Sequence, residues 1–242
     1  MDRLIRLVCE VDVRQVHDNH NIVIVYGQSY HHIIDVPLVI NNNIMINKYK
    51  QVVQLGEDLA PLSTTSRPPT DETWIIKPQM SIGGRDIRPL QDGGAGLGEY
   101  YQKRFDKVRE FRVHCFLWMD KPVQLIMEKF VDDTSQLCWN KKQGAKWEFF
   151  YQDGLDVQEL EYGLPFDLDL YNDIGIRSVK ALKKLNYDFG GIDFGLDAEG
   201  NLKIFEVNSR MGLREQSLFT YKRCFDALRR ININEYKRER WL

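Results

Sequence analysis

Three oxygen-bearing side chains near the C-terminal end have the types and spacing to share one metal ion. In GGIDFGLDAEGNLKIFEVNSR, the turn Ala198-Glu199-Gly200-Asn201 separates two strand-like runs, which predicts a hairpin with Asp193 on one strand and Glu206 on its neighbour. Glu206 and Asn208 are two apart and therefore share a face. Carboxylate and amide oxygens suit a hard cation such as Mg²⁺, or Mn²⁺ in its place, which keeps its other positions for water and substrate phosphates. An isolated hairpin pair of acids is usually solvated decoration. Here the flanks GGIDF and KIFEVN are apolar, so these carboxylates need cations or donors to offset their desolvation.

A second feature points to phosphate. Lys77 ends the run TWIIKP immediately before the loop QMSIGGRDI, so an ammonium and the exposed backbone of Gly83 and Gly84 face the same polyanion. No G-K-[ST] follows these glycines and no G-x-G-x-x-G opens a helix, which disfavours both familiar nucleotide-binding motifs. No Ser-His-Asp or Cys-His arrangement suggests nucleophilic catalysis. His114 is read as pointing away from Arg112 and satisfied within the fold. Trp139, Trp147, Phe149 and Phe150 could stack on a base, but aromatics near strands more often pack, and they are given no role.

These residues sit in a chain of 242 residues, 43% apolar and 28% charged, long enough for a substantial core. A formal charge of −2 gives no general attraction to nucleic acid or an anionic membrane, so neither is expected as a partner. Four scattered cysteines without a C-x-x-C pair suggest neither a zinc site nor a disulfide framework. No apolar run approaches the ~18 residues of a membrane span, and charges interrupt the N-terminal stretch too early for a signal peptide. The expectation is a cytoplasmic protein.

The elements that must position the chemistry read as follows. NIVIVYG and IIDVPLVI are strand-like and able to pair. NKYKQVVQLGEDL, from Asn47 to about Leu59, has helical spacing, and PLSTTSRPPT links it onward. EFRVHCFLWMD and KPVQLIMEKFV form two strands joined around Met119-Asp120-Lys121-Pro122. LYNDIGIRSVKALKKL, from Leu170 to Leu185, predicts an amphipathic core helix, and a last helix runs from about Glu215 to Arg230.

In that order, TWIIKPQMSIGGRDI, EYYQKRF, REFRVHCF and GGIDFGLDAEGNLKIFEVNSRMGL resemble the successive motifs of the ATP-grasp superfamily, over roughly residues 41–213. The interval from Asp193 to Glu206 followed by Glu-x-Asn is what glutathione synthetases, D-alanine ligases and ribosomal-protein glutamate ligases show. The resemblance implies an α+β fold of two subdomains whose antiparallel sheets clasp ATP. A reduced N-terminal region over 1–46 precedes an ATP-grasp domain over 47–242, with a smaller lid-like part at about 60–105 and a larger metal-binding part at about 106–242.

The resemblance also assigns roles. Lys48, with Lys50 competing, matches the first nucleotide-binding lysine, and Lys77 the second. The Gly83-Gly84 loop would serve as a lid, Gln102, Lys103, Arg104 and Phe105 would border adenine, and Glu110 would bind ribose. Arg112 and Lys129 would stabilise phosphate charge, and Arg210 would hold the substrate carboxylate or acyl phosphate. Asp193, Glu206 and Asn208 would hold Mg²⁺. The implied activity is an ATP-dependent carboxylate–amine ligase using a small-molecule or peptide carboxylate and an amine acceptor. Two alternatives share the fold: a noncatalytic nucleotide-binding or structural protein, and a kinase that phosphorylates without ligation.

Two departures bear on substrate. Only a short stretch precedes the matching region, so substrate recognition is expected to be reduced, supplied by another subunit, or built from the insert around Gln136 to Gly163. The metal loop ends NSRMGL where amide ligases of the group read closer to N-S/T-x-P-G, which leaves the acceptor open. The compact form is similar to ATP-grasp proteins encoded by bacteriophages and some bacteria, which would place it in a host cytoplasm.

Overall fold

The computed structural model describes residues 5–8, 22–26, 37–41, 45, 47–69, 73–80, 86–133, 135–139, 144–152, 167–209, 211 and 215–239. Its largest sheet collects the strands whose sequences alternate. β8 (Lys107–Phe116), β9 (Val123–Phe130), β10 (Lys146–Gln152), β11 (Phe189–Asp197) and β12 (Leu202–Asn208) run antiparallel in the order β10-β9-β8-β11-β12. Alternation sends Phe111, Val113, Ile126, Ile192 and Ile204 to one face, where they meet α1 (Lys48–Leu55) and α2 (Leu168–Leu185).

α2 carries Leu170, Ile174, Ala181, Leu182 and Leu185 into this core. Asp167 caps its first turn by accepting from the Leu170 N–H at 3.0 Å, and Asn186, in the left-handed conformation (φ 56°), closes it. α1 stops at Leu55 rather than near Leu59, because Gly56 takes φ +79° and turns the chain away. The expected final helix is α3 (Glu215–Ala227), and beyond the turn at 228–230 a further short helix follows, α4 (Ile233–Glu239).

A second, smaller sheet has the order β4-β7-β5-β6, built from β4 (Ser63–Thr64), β5 (Trp74–Pro78), β6 (Arg88–Pro89) and β7 (Glu99–Lys103). Trp74, Ile76, Leu90 and Tyr101 fill its own core. It passes to the large sheet through residues 104–106, between β7 and β8.

The N-terminal strands β1 (Ile5–Val8), β2 (Ile22–Val25) and β3 (Leu38–Ile40) do pair, and in parallel. Ile22, Ile24, Leu38 and Ile40 pack in one cluster with Phe116 and Phe189 of the large sheet and with Tyr221, Cys224 and Tyr236 of α3 and α4. A buried polar clip reinforces the junction. Asp188 accepts from the Asn41 N–H at 2.5 Å and from Tyr236 Oη at 2.7 Å, while Asn41 Oδ1 accepts from the N–H groups of Asp188 and Phe189.

Candidate functional site

The face of the large sheet opposite α2 is polar. Its register aligns Glu110 with Lys129, Lys129 with Trp147, Arg112 with Asp193, and Asp193 with Glu206. Residues paired directly across a ladder share a face, so charged groups from four strands meet there. Asn208 lies opposite Gly191 on the same strand as Glu206. Between Phe194 and Asp193 the ladder shifts, leaving Phe205 as the extra residue of β12. Its ring stacks edge-on to Phe105, 5.9 Å between centroids, over Gly195, where an added Cβ would meet the ring at 2.4 Å.

The charges are tightly paired. Arg112 donates from Nε and Nη2 to both oxygens of Asp193 at 2.7 Å each, a bidentate fork. Lys48, buried at the start of α1, lies 3.2 Å from Glu206. Glu110 receives two ammoniums, Lys107 at 2.6 Å and Lys129. From the small sheet comes Lys77, whose Nζ donates to Gln102 Oε1 at 3.0 Å while Gln102 Nε2 donates to Ser63 Oγ. Asn47 caps α1 and bonds Gln79 Oε1, and the Lys48 N–H donates to the Gln79 carbonyl, so both lysines are held to one stretch of β5 and its exit.

Five cations, Lys48, Lys77, Lys107, Arg112 and Lys129, therefore share three carboxylates, Glu110, Asp193 and Glu206. Such a surplus attracts a polyanion. Burial lowers the pKa of Lys77 despite the nearby Glu206 carboxylate. Burial also works against the charge on Arg112 and on Asp193, yet each is overridden by the other: the guanidinium is held more firmly protonated and the Asp193 carboxyl stays below its usual range.

Several expected site residues thus come together: Lys48, Lys77, Gln102, Glu110, Arg112, Lys129, Asp193 and Glu206, with Asn208 on the same face. Of the two candidate lysines at the start of α1, Lys48 is buried beside Glu206 and Lys50 faces solvent. Lys103 is exposed, and Arg104 pairs with Asp106 at 2.6 Å, both at the passage between sheets. Gly83, Gly84 and Arg210 lie outside the described residues, as do 140–143 and 153–163 of the insert.

The expectation for His114 is corrected. Two residues from Arg112, it shares that residue's face and does not point away. It is buried, with Nδ1 3.3 Å from Tyr221 Oη and Nε2 without a partner among the described residues, and burial together with Arg112 depresses its pKa to about 3, which keeps it neutral.

Two further residues reach this face: Lys107, to which the sequence assigns nothing, and Trp147, expected as a packing group. Lys107 Nζ is 5.0 Å from the Trp139 ring and 5.2 Å from Phe205. Trp147 has Lys129 Nζ at 4.6 Å and Arg112 Cζ at 4.9 Å from its ring centroid. Only the pairing of β10 with β9 brings Trp147 to these cations.

Among the described residues no three His, Cys, Asp or Glu side chains gather as a metal cluster. The donor set present, two carboxylates aligned across a hairpin and an amide two residues on, still fits a hard divalent ion by its chemistry. Admitting one requires the Asp193 and Glu206 oxygens to exchange their present cations. No helix among the described residues is long and apolar enough to cross a membrane.

No family model and no curated protein matches the chain. Among solved structures it is similar to the ATP-grasp ligase PsnB complexed with minimal precursor, at 18% identity and TM-score 0.52, over 80% of this chain and 65% of that one. The same ligase complexed with minimal precursor, Mg and ADP matches at 17% identity and TM-score 0.51, over 79% and 61%. The VanG D-Ala:D-Ser ligase from Enterococcus faecalis matches at 12% identity and TM-score 0.50, over 79% and 64%. The chain thus spans less than two thirds of the length of each. This likeness establishes the fold: the chain is an α+β protein of ATP-grasp architecture.

Proposed function

We propose that this ATP-grasp chain is a Mg-ATP-dependent ligase that activates a carboxylate and joins it to an amine. The observation that carries the reading is the aligned pair Asp193–Glu206 set among Lys48, Lys77, Lys129 and Arg112 in one cation-rich cluster. Asp193, Glu206 and Asn208 would hold Mg²⁺, which neutralises charge on the transferring phosphoryl group when bound.

In this reading Lys48 and Lys77 grip the nucleotide phosphates, and the loop at Gly83 and Gly84 covers them. Gln102, Lys103, Arg104 and Phe105 border the base, and Glu110 receives the ribose. Substrate carboxylate oxygen attacks the terminal phosphorus, the bond to the bridging oxygen breaks and ADP departs. Amine nitrogen then adds to the acyl carbon, loses a proton and expels phosphate. Arg112 and Lys129 meet the charge that develops on phosphate oxygens, and Arg210 holds the substrate carboxylate. Arriving phosphate oxygens take up Arg112 and Lys48, which frees the oxygens of Asp193 and Glu206 for the cation. The lobes at about 60–105 and 106–242 clasp the nucleotide, and the substrate is a small or peptide carboxylate in the cytoplasm, with recognition completed by the insert or by another subunit.

ADP release across panels of carboxylates and amines tests this, with hydroxylamine trapping any acyl phosphate as a hydroxamate. Glu206→Gln should abolish ADP release; release unaffected by that change sinks the metal assignment. A phosphorylated product that accumulates in the presence of amine would mark a kinase instead.

A further inference from the structure

Trp147 is the residue of this charged cluster whose type phosphate chemistry does not itself require. It stands on β10, at the edge of the large sheet, is only half-buried, and so contributes little to the core. Its indole nevertheless lies against two cations, Lys129 and Arg112, at 4.6 and 4.9 Å.

The charge balance explains why an aromatic ring is useful there. Glu110 serves both Lys107 and Lys129, whose side chains retain only 8% and 7% of their exposure, and Asp193 is fully engaged by Arg112. A further carboxylate would fix the surplus cations permanently and compete with an incoming polyphosphate. The negative face of an indole offers weaker, non-directional attraction that holds a cation in place and releases it readily.

We propose that Trp147 is a positioning residue that holds Arg112 and Lys129 ready for the phosphoryl group, an inference that rests on the nucleotide site proposed above. It acts through those two side chains and touches no reacting atom.

Binding of Mg²⁺ with a non-hydrolysable ATP analogue, measured by calorimetry on the full chain against Mg-ADP, tests it, with melting temperature as a folding control. Trp147→Leu should weaken the triphosphate analogue about 10-fold and Trp147→Phe about 3-fold or less, with a smaller change for Mg-ADP, which lacks the phosphoryl group that Arg112 and Lys129 await. In a Lys129→Met background the further loss on adding Trp147→Leu should shrink, because one of the cations it steadies is gone. A Leu effect equal for the analogue and Mg-ADP, or undiminished by Lys129→Met, would reduce Trp147 to packing and overturn the inference. Analogue binding lost in Lys129→Met but unchanged in Trp147→Leu overturns this inference alone. A wild-type chain that binds neither nucleotide overturns the nucleotide site and this inference together.

Discussion

Lys77→Met should stabilise the nucleotide-free protein while abolishing nucleotide binding. Lys77 is 8% exposed, its one direct acceptor among the described residues is Gln102 Oε1 at 3.0 Å, and burial outweighs the attraction of Glu206, Glu110 and Asp193. Methionine keeps the apolar stem and removes the ammonium. Burying an ammonium costs several kcal/mol before compensation. The nearby carboxylates offset part of that, and leaving Gln102 Oε1 without its donor costs about 1 kcal/mol. The net gain is roughly 1–2 kcal/mol, or about 2–8 °C in melting temperature for a chain of this size. The sign of the pH dependence follows from the lowered pKa. The folded state binds this proton less tightly than the unfolded chain, so wild-type stability rises with pH toward the ordinary lysine value of 10.5. The variant's advantage is therefore largest near neutrality and narrows as pH rises. Thermal melts from pH 7 to 10, with and without Mg-ADP, measure both. A variant that melts below wild type at pH 7, or gains its advantage only at high pH, would refute the reasoning.

Asp193→Asn breaks the bidentate pair and leaves Arg112, 28% exposed, without its carboxylate, a loss of about 3 kcal/mol by chemical denaturation. Because the Asp193 carboxyl is held below its ordinary 3.8, its contribution persists in mild acid and fades as pH falls through the folded value; the variant should lose that acid limb. Gly191→Ala places a Cβ 1.6 Å from Met211 Sδ and should cost about 1–3 kcal/mol, partly restored in Gly191→Ala/Met211→Ala, a coupling that denaturation of the four chains reads directly. Leu182→Ala removes a fully buried side chain of α2 from the core and should cost about 2–5 kcal/mol without changing the charged face of the sheet, so nucleotide affinity below the melting transition should hold.

The hairpin carrying Asp193 and Glu206 was legible because everything that aligns it is local: a turn, two alternating runs and a two-residue period. α2 was legible for the same reason, and its cap shifts the start only to Leu168. The limit appears with pairings between distant segments. Trp147 meets Lys129 only through the β9–β10 register, itself shifted between Phe149 and Tyr151, and no motif in KWEFFYQ announces that. Lys107 reads as a surface charge until the loop bearing Leu137 and Trp139 folds over it. Lys48 and Lys50 were inseparable by spacing, since a helix start gives no direction until Asn47 caps it and fixes which lysine faces the cleft. The face of His114 follows from the strand period alone: two residues from Arg112 on β8, it lies on Arg112's side, and what its parity could not show is the burial against Tyr221.

The clip at Asp188 has a consequence in time. It joins Asn41 to a carboxylate 147 positions later and that carboxylate to Tyr236, 48 positions further on. Loop closure over such separations is slow and entropically opposed, so these bonds belong to the late side of folding. During synthesis β2 and β3 emerge long before either partner exists, and they wait with buried-type surfaces uncovered until Asp188 and Tyr236 have been made. The N-terminal sheet is thus the part of this protein with most to gain from a fast finish: a pause in translation before Tyr236 would leave it exposed, whereas the same pause would find the β8–β9 hairpin already closed.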